Sequence, residues 1–142
     1  MKFDGKILVI GLGGVSRCTL PLLFKHHDTP KKNYTVMDFA NVEADARWVK
    51  DQGANFVKDK IERANFGETL SKYVGKGDLI VDLAWNIGCD DMLQWCHDHD
   101  VMYANTSVEL WDPYENKESA RPADRTLYVR HMAMRKMMAA RK

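Results

Sequence analysis

The stretch Lys6-Ile7-Leu8-Val9-Ile10-Gly11-Leu12-Gly13-Gly14-Val15-Ser16 decides the fold of this 142-residue chain. This stretch predicts a short buried strand of a parallel sheet at residues 6–10, with its apolar core at residues 7–10. Two glycines separated by one residue follow this run. Residues 14–27 then predict a helix whose apolar face combines Val15, Leu20, Leu23 and Phe24. A strand, a glycine turn and a helix in this order are typical of a phosphate-binding turn for a dinucleotide.

The residues of this turn have separate predicted roles. Gly11 permits the tight turn, and Gly13, which lacks a Cβ atom, lets a pyrophosphate approach the backbone. The helix that begins at Gly14 and Val15 presents free N–H groups and its positive dipole end to the phosphates. Ser16 stands where the pattern G-x-G-x-x-G has its third glycine, and we expect this small residue to preserve the pattern. All five residues are therefore predicted to bind a cofactor.

Strands and helices alternate along the next ninety residues. The predicted strands after the first are residues 34–38, 54–57, 78–83 and 101–105, and the helices between them are residues 42–52, 65–74 and 89–99. Such alternation predicts an α/β fold with helices on both faces of a parallel sheet. Right-handed crossovers and the glycine turn after the first strand favour a doubly wound, Rossmann-type sheet with strand order 3-2-1-4-5.

The last thirty residues break this alternation. A polar, irregular segment leads to a helix predicted at residues 125–140, capped by Asp124 and carrying a broad apolar surface of Leu127, Val129, Met132, Met134, Met137 and Met138. In a complete doubly wound sheet such a helix leads into a sixth strand. We therefore predict a cofactor domain at residues 1–112 and, at 113–142, a linker and helix that continue it in a longer protein. The alternative is a helix that folds back on its own domain or pairs in a dimer.

The composition excludes several classes of partner. A net charge of +1 gives no electrostatic reason to expect nucleic acid or an anionic membrane as a partner. The apolar runs are far shorter than the roughly 20 residues of a membrane span, and residues 1–5 lack the apolar region of a signal peptide. Three cysteines without framework spacing favour a reduced, cytoplasmic protein.

Asp38 ends the second predicted strand, 27 residues after Gly11. A carboxylate at this place binds the ribose hydroxyls of a dinucleotide and repels a 2′-phosphate, which favours NAD over NADP. The alternative is an ordinary acid in a turn. A methyltransferase that binds S-adenosylmethionine is disfavoured, because Val9 stands where those turns commonly carry an acid in the first strand.

Polar residues also follow the fourth and fifth predicted strands, whose carboxyl ends face the same crevice. Ala84 is small enough for close approach of the cofactor, and Thr106 is predicted to contact it as well. Asn86 can hydrogen-bond an amide or hydroxyl group of a ligand, or else cap the next helix. Glu109 beside Trp111 favours a substrate ammonium group, through an ion pair and a cation–π contact. The alternative is a solvated acid beside a packing tryptophan.

Two other features predict no chemistry. The run Cys96-His97-Asp98-His99 lies on a predicted helix that does not place its potential ligands on one face, so no metal is expected. Cys18 has no adjacent histidine or acid and is predicted to belong to the core rather than to act as a nucleophile.

Several of these segments together resemble one enzyme family. The glycine turn with Arg17, the run Thr19-Leu20-Pro21-Leu22, Val36-Met37-Asp38, Thr106-Ser107-Val108-Glu109-Leu110-Trp111 and the tail Thr126-Leu127-Tyr128-Val129-Arg130 resemble bacterial homospermidine synthases. Those enzymes belong with the saccharopine dehydrogenase-like NAD(P) enzymes. The resemblance covers nearly all of this chain but only the first part of the family's length.

The resemblance implies a function and some of its residues. The family uses tightly bound NAD to oxidise putrescine to an imine, exchanges the amine with a second diamine, and reduces the product to homospermidine. Glu109 matches an active-site glutamate that holds a substrate ammonium, and Gly11, Gly13, Val15 and Asp38 match contacts to the cofactor. The remaining active-site residues and the homodimer-forming region are expected beyond Lys142, so this chain alone is expected to be inactive.

Two other functions stay open on the sequence alone. One is another saccharopine dehydrogenase-like enzyme that acts on a different amine or amino acid. The other is a non-catalytic module that senses a dinucleotide or serves in assembly.

Overall fold

The computed structural model describes residues 2–114 and 121–140. These residues contain a parallel sheet in the order β3-β2-β1-β4-β5, which confirms the predicted topology. Its strands are β1 (Ile7–Ile10), β2 (Tyr34–Asp38), β3 (Asn55–Lys58), β4 (Leu79–Asp82) and β5 (Met102–Asn105). The α-helices are α1 (Gly14–His26), α2 (Glu43–Asp51), α3 (Phe66–Ser71), α4 (Cys89–Asp98) and α5 (Leu127–Ala139). Short 3₁₀ turns occur at Lys31–Asn33 and Pro122–Arg125.

The central strand β1 is buried on both faces. Its residues alternate between two apolar clusters, because successive side chains of a strand point to opposite sides. Leu8 and Ile10 join the cluster that includes residues of α3 and α4, whereas Ile7 and Val9 join the cluster that includes residues of α1 and α2. This double burial explains why β1 reads as an uninterrupted apolar run.

The apolar face of α1 is confirmed at Leu20, Leu23 and Phe24, which belong to or pack against the cluster on that side of the sheet, but not at Val15. Val15 is 51% exposed, whereas Ser16 is fully buried with Leu20. Residues four apart share a helix face, so the buried Ser16 lies in line with Leu20 and turns Val15 outward. The predicted core position of Cys18 is also wrong, because this residue is exposed.

The helix α5 begins later than predicted and has a different cap. Thr126 is its N-cap, and the Thr126 hydroxyl accepts a hydrogen bond from the backbone N–H of Val129 at 3.5 Å. Asp124 instead lies inside the preceding 3₁₀ turn and pairs with Arg121 at 2.7 Å. None of the described residues of α5 is buried. Among the described residues, no helix combines the length and the apolar character that a bilayer crossing requires.

Candidate functional site

A cleft opens at the carboxyl ends of β1, β2 and β4. Its volume is about 410 Å³, and the residues on which the following argument depends are Gly11, Gly13, Asp38, Phe39, Ala84 and Asn86. Each of these follows or ends a strand, so the fold brings to one edge residues that are up to 75 positions apart. In doubly wound sheets this edge is the place where ligands bind.

The two glycines of the turn meet different surroundings. Gly11 has a φ of +90°, and a Cβ atom there would lie 3.1 Å from the backbone of Ala84. This residue is therefore required by the fold itself. Gly13 has a φ of −90°, which any residue adopts, and a Cβ atom there would meet nothing within 4 Å. The space over Gly13 is open to a ligand. The backbone N–H groups that begin α1 follow directly and can donate hydrogen bonds to phosphate groups.

Ser16 occupies the position of the third glycine in the G-x-G-x-x-G pattern. Its side chain is fully buried, and its hydroxyl donates a hydrogen bond to the carbonyl oxygen of Gly11. A small side chain thus fits between α1 and the sheet and also ties the helix to the turn. The departure from the glycine pattern leaves the shape of the turn intact.

Asp38 faces the glycine turn from the neighbouring strand. Its Oδ2 accepts a hydrogen bond from the backbone N–H of Leu12 at 2.6 Å, and its Oδ1 accepts one from Ala40 at 2.7 Å. Each carboxylate oxygen has a second lone pair, so both can also accept a hydroxyl donor from the cleft. Asp38 therefore holds the turn in place and presents acceptors to a ligand.

The segment after β4 forms the opposite wall. Asp82 is buried; its Oδ1 accepts a hydrogen bond from the N–H of Ala84 at 3.1 Å and its Oδ2 accepts one from the hydroxyl of Tyr103 at 2.9 Å. Burial raises the pKa of Asp82, and these two hydrogen bonds oppose that shift. The buried carboxyl thus fixes Ala84 against Gly11.

Asn86 lines this wall with an unusual backbone. Its φ is +64°, and its buried Oδ1 has no hydrogen-bond partner in the described part of the chain. The alternative role as a helix cap is wrong, because the N-cap of α4 is Gly88. A buried acceptor without a partner is costly unless a ligand or water satisfies it. Asn86 is therefore suited to bind a donor group of a ligand.

Glu109 lies in the turn that follows β5. The hydroxyl of Ser107 donates a hydrogen bond to Glu109 Oε1 at 2.7 Å, and the carbonyl oxygen of Glu109 accepts one from the N–H of Cys89 at 3.1 Å. Burial is the main cause of the raised pKa of Asp82, and the charge of Glu109 adds a smaller effect in the same direction. Glu109 and the exposed Thr106 are not among the residues that line the cleft, so their roles stay predictions.

Trp111 packs on the start of α4. Its indole Nε1 donates a hydrogen bond to Asp91 Oδ2 at 2.7 Å, and its ring centre lies 6.0 Å from that of Phe66. A Cβ atom on Gly88 would lie 2.4 Å from the same indole nitrogen, so the contact is close. These contacts favour the packing alternative, and the predicted contact of Trp111 with substrate stays a prediction.

Two of the three thiols and one histidine take part in packing. Cys89 and Cys96 are buried, and burial raises the pKa of Cys96 to about 12. His99 stacks on Trp95 with ring centres 4.2 Å apart. Within residues 2–114 and 121–140, no group of three or more histidine, cysteine or acidic side chains is arranged to hold a metal ion.

The sequence analysis missed two aromatic residues of the cleft. Phe39 and Trp85 line it and are 64% and 65% exposed. Phe39 directly follows β2 and Trp85 lies three residues after β4, and these positions after strand ends were the available signal. Large exposed aromatic side chains in a cleft are typical of ligand contacts rather than of core packing.

The fold and the cleft together define a dinucleotide-binding domain of the Rossmann type. Residues 7–142 match the family described as saccharopine dehydrogenase NADP binding domain, and the chain belongs to this family.

Similar proteins agree with the resemblance seen in the sequence. Homospermidine synthase of Mesorhizobium japonicum is 30% identical over 136 residues, which are 94% of this chain and 28% of that enzyme. Homospermidine synthase of Blastochloris viridis is 27% identical over 132 residues, which are 90% of this chain and 27% of that enzyme. This chain thus spans about a quarter of the length of these relatives.

A solved structure shows the same fold. The homospermidine synthase of Legionella pneumophila in complex with NAD superposes with a TM-score of 0.73 at 20% identity, over 83% of this chain and 26% of that one.

Proposed function

We propose that this chain is the NAD-binding domain of an enzyme that makes homospermidine from putrescine, alone or with spermidine. The observation that carries the proposal is the pair formed by Asp38 and the open space over Gly13. The similarity to homospermidine synthases over at least 90% of the chain supports the substrate class.

The cleft residues fit NAD. Gly13, with the N–H groups of Gly14 and Val15 that open α1, would hold the pyrophosphate, and Asp38 would accept the ribose hydroxyls. Ala84 and Asn86 line the same cleft and would contact the other half of the dinucleotide. When bound, NAD supplies the hydride acceptor and donor that amine oxidation and re-reduction require, and the protein supplies position and electrostatics.

Glu109 serves the substrate in this proposal. A diamine carries an ammonium group at each end, and a carboxylate at the end of β5 pairs with one of them while the other end reacts. The pairing neutralises the distal charge and fixes the reacting carbon relative to the cofactor. Further active-site residues and a homodimer interface come from other parts of the protein. A cytoplasmic location stays a prediction of the sequence.

Parallel titrations with NAD and NADP test the cofactor. We expect tighter binding of NAD, because Asp38 accepts the ribose hydroxyls and repels a 2′-phosphate. Quenching of tryptophan fluorescence reports binding, since Trp85 stands exposed in the cleft. Equal affinity for the two dinucleotides would remove the ribose role of Asp38.

Glu109→Gln in the full-length protein tests the substrate role. We expect the turnover of putrescine to collapse while the affinity for NAD stays within about twofold, because Glu109 does not line the cofactor cleft. Unchanged turnover would reject Glu109 as the ammonium site. Turnover of another amine or amino acid instead of putrescine would favour a different saccharopine dehydrogenase-like activity.

The exposed helix α5 favours the proposed division into residues 1–112 and 113–142. None of its described residues is buried in this domain, although its surface includes Leu127, Tyr128, Val129 and Met132. Limited proteolysis with size-exclusion chromatography tests the division. A helix cut quickly in a monomer supports it, and a protected helix favours a complete, non-catalytic module.

A further inference from the structure

The turn that carries Glu109 is held by more contacts than an exposed loop needs. Resting on the function proposed above, we propose that Asn105 and Ser107 are positioning residues that orient the Glu109 carboxylate for a substrate ammonium group. Neither residue is expected to touch the cofactor.

Asn105 anchors the turn to the sheet and to α4. It is the last residue of β5 and the parallel neighbour of Asp82 on β4. Its side-chain amide donates hydrogen bonds to the carbonyl oxygen of Ser107 at 2.5 Å and to the sulfur of Cys89 at 3.1 Å. The first of these bonds closes the turn over two residues, and the second ties it to the buried start of α4.

Ser107 then fixes one oxygen of the acid. Its hydroxyl donates to Glu109 Oε1 at 2.7 Å, while the backbone of Glu109 is held by the N–H of Cys89. In the described part of the chain no hydrogen bond is donated to the second carboxylate oxygen, Oε2. A carboxylate that is held through one oxygen is oriented while its other oxygen can still accept a hydrogen bond, which suits it to bind an ammonium donor.

A third anchor comes from α5. Arg130 Nη1 donates a hydrogen bond to the carbonyl oxygen of Val108 at 3.4 Å, and the sulfur of Met134 lies 3.7 Å from that of Cys89. The backbone carbonyl oxygens of Ser107, Val108 and Glu109 therefore each accept a hydrogen bond. What remains free to rotate is the Glu109 side chain, and Ser107 restrains that rotation.

The negative charges of Asp82 and Glu109 are a further reason why the Glu109 carboxylate needs a hydrogen bond that orients it. Burial is the main cause of the raised pKa of Asp82, and the negative charge of Glu109 adds a smaller effect in the same direction. Two negative charges repel each other, so a Glu109 side chain without a hydrogen-bond donor is expected to turn toward water. The hydroxyl of Ser107 opposes that movement, so the carboxylate stays at the crevice end of β5 before substrate binds.

The test uses steady-state kinetics of the full-length protein with putrescine and saturating NAD. Ser107→Ala is expected to raise the KM for putrescine roughly tenfold, corresponding to one hydrogen bond to a charged group, with kcat changed less than threefold. Ser107→Thr keeps the hydroxyl and is expected to stay within about twofold of wild type. Asn105→Ala is expected to raise KM in the same direction.

Ser71→Ala is the matched control. The Ser71 hydroxyl donates to the carbonyl oxygen of Gly67 in α3, so the same chemical change is made away from Glu109. This variant is expected to keep the wild-type KM, and all four variants are expected to bind NAD within about twofold of wild type.

A spectroscopic readout on the 142-residue chain separates the two proposals. Ser107→Ala is expected to shift the ¹³C resonance of the Glu109 carboxylate, whereas Ser71→Ala leaves it in place. An unshifted resonance, or an unchanged KM beside a Glu109→Gln variant that has lost turnover, overturns the positioning role and leaves the proposed function standing. Wild-type turnover by Glu109→Gln overturns the substrate role of Glu109 and the positioning role with it.

Discussion

Alanine substitution at the two glycines of the turn is expected to separate folding from cofactor binding. At Gly13 the backbone φ is −90° and a Cβ atom meets nothing within 4 Å, so the methyl group of Gly13→Ala meets no steric obstacle. The free energy of unfolding is expected to stay within about 1 kcal/mol of wild type, because the smaller entropy of the unfolded chain stabilises the variant while alanine is a poorer helix N-cap than glycine. The added methyl group occupies the space assigned to the pyrophosphate.

The loss of NAD affinity follows from the contacts that the methyl group displaces. If it moves the phosphates away from two N–H groups at the start of α1, about 3 kcal/mol of charge-assisted hydrogen bonding is lost. This corresponds to roughly a 100-fold increase in Kd.

Gly11→Ala is expected to lower the stability of the fold. A φ of +90° and a 3.1 Å approach to the backbone of Ala84 leave no relaxed place for the methyl group. The strained backbone and the overpacking together are expected to lower the free energy of unfolding by about 2–4 kcal/mol.

Urea denaturation followed by circular dichroism measures stability, and NAD titration followed by tryptophan fluorescence measures binding. Gly75→Ala is the control, because a Cβ atom there also meets nothing within 4 Å and Gly75 lies near the amino end of β4. Wild-type NAD affinity in a stable Gly13→Ala protein would refute the placement of the pyrophosphate. Unchanged stability of Gly11→Ala would refute the packing of the turn on Ala84.

Two further predictions concern buried groups. At pH 8 a disulfide reagent is expected to react with one thiol of the native chain, the exposed Cys18, and with all three thiols in guanidinium chloride. The reason is that burial raises the pKa of Cys96 to about 12 and also raises the pKa of Cys89. Three rapidly reacting thiols in the native chain would contradict this burial. Because the pKa of Asp82 is raised in the folded state, its contribution to stability is full below the unfolded pKa of about 4 and is lost as pH rises through the folded pKa. Between pH 4 and 7 the urea midpoint of Asp82→Asn is therefore expected to rise relative to that of the wild type as pH rises, since an amide at this position still pairs with Tyr103 and Ala84. A difference in midpoint that does not depend on pH would contradict the raised pKa of Asp82.

The sequence by itself determined the topology and the functional edge of this protein. Apolar runs of four or five residues, separated by helical spacing and by glycines, are local signals, and the handedness of crossovers leaves few ways to assemble them. The predicted strand order is confirmed, and the ends of all strands and helices lie within three residues of their predicted positions. The sequence also identified Gly11 and Asp38 as candidate site residues, because their predicted roles depend on their positions relative to the strands.

Only the tertiary structure decided which way the side chains near that edge turn. The helix phase that exposes Val15 and buries Ser16 is set by how the turn meets the sheet, and the hydrogen bonds from Leu12 and Ala40 to Asp38 join two strands. The packing of Trp111 on the start of α4 depends on residues 20 or more positions away. Such contacts follow from the relative placement of whole elements, and that placement minimises the energy of the entire core rather than of any local segment.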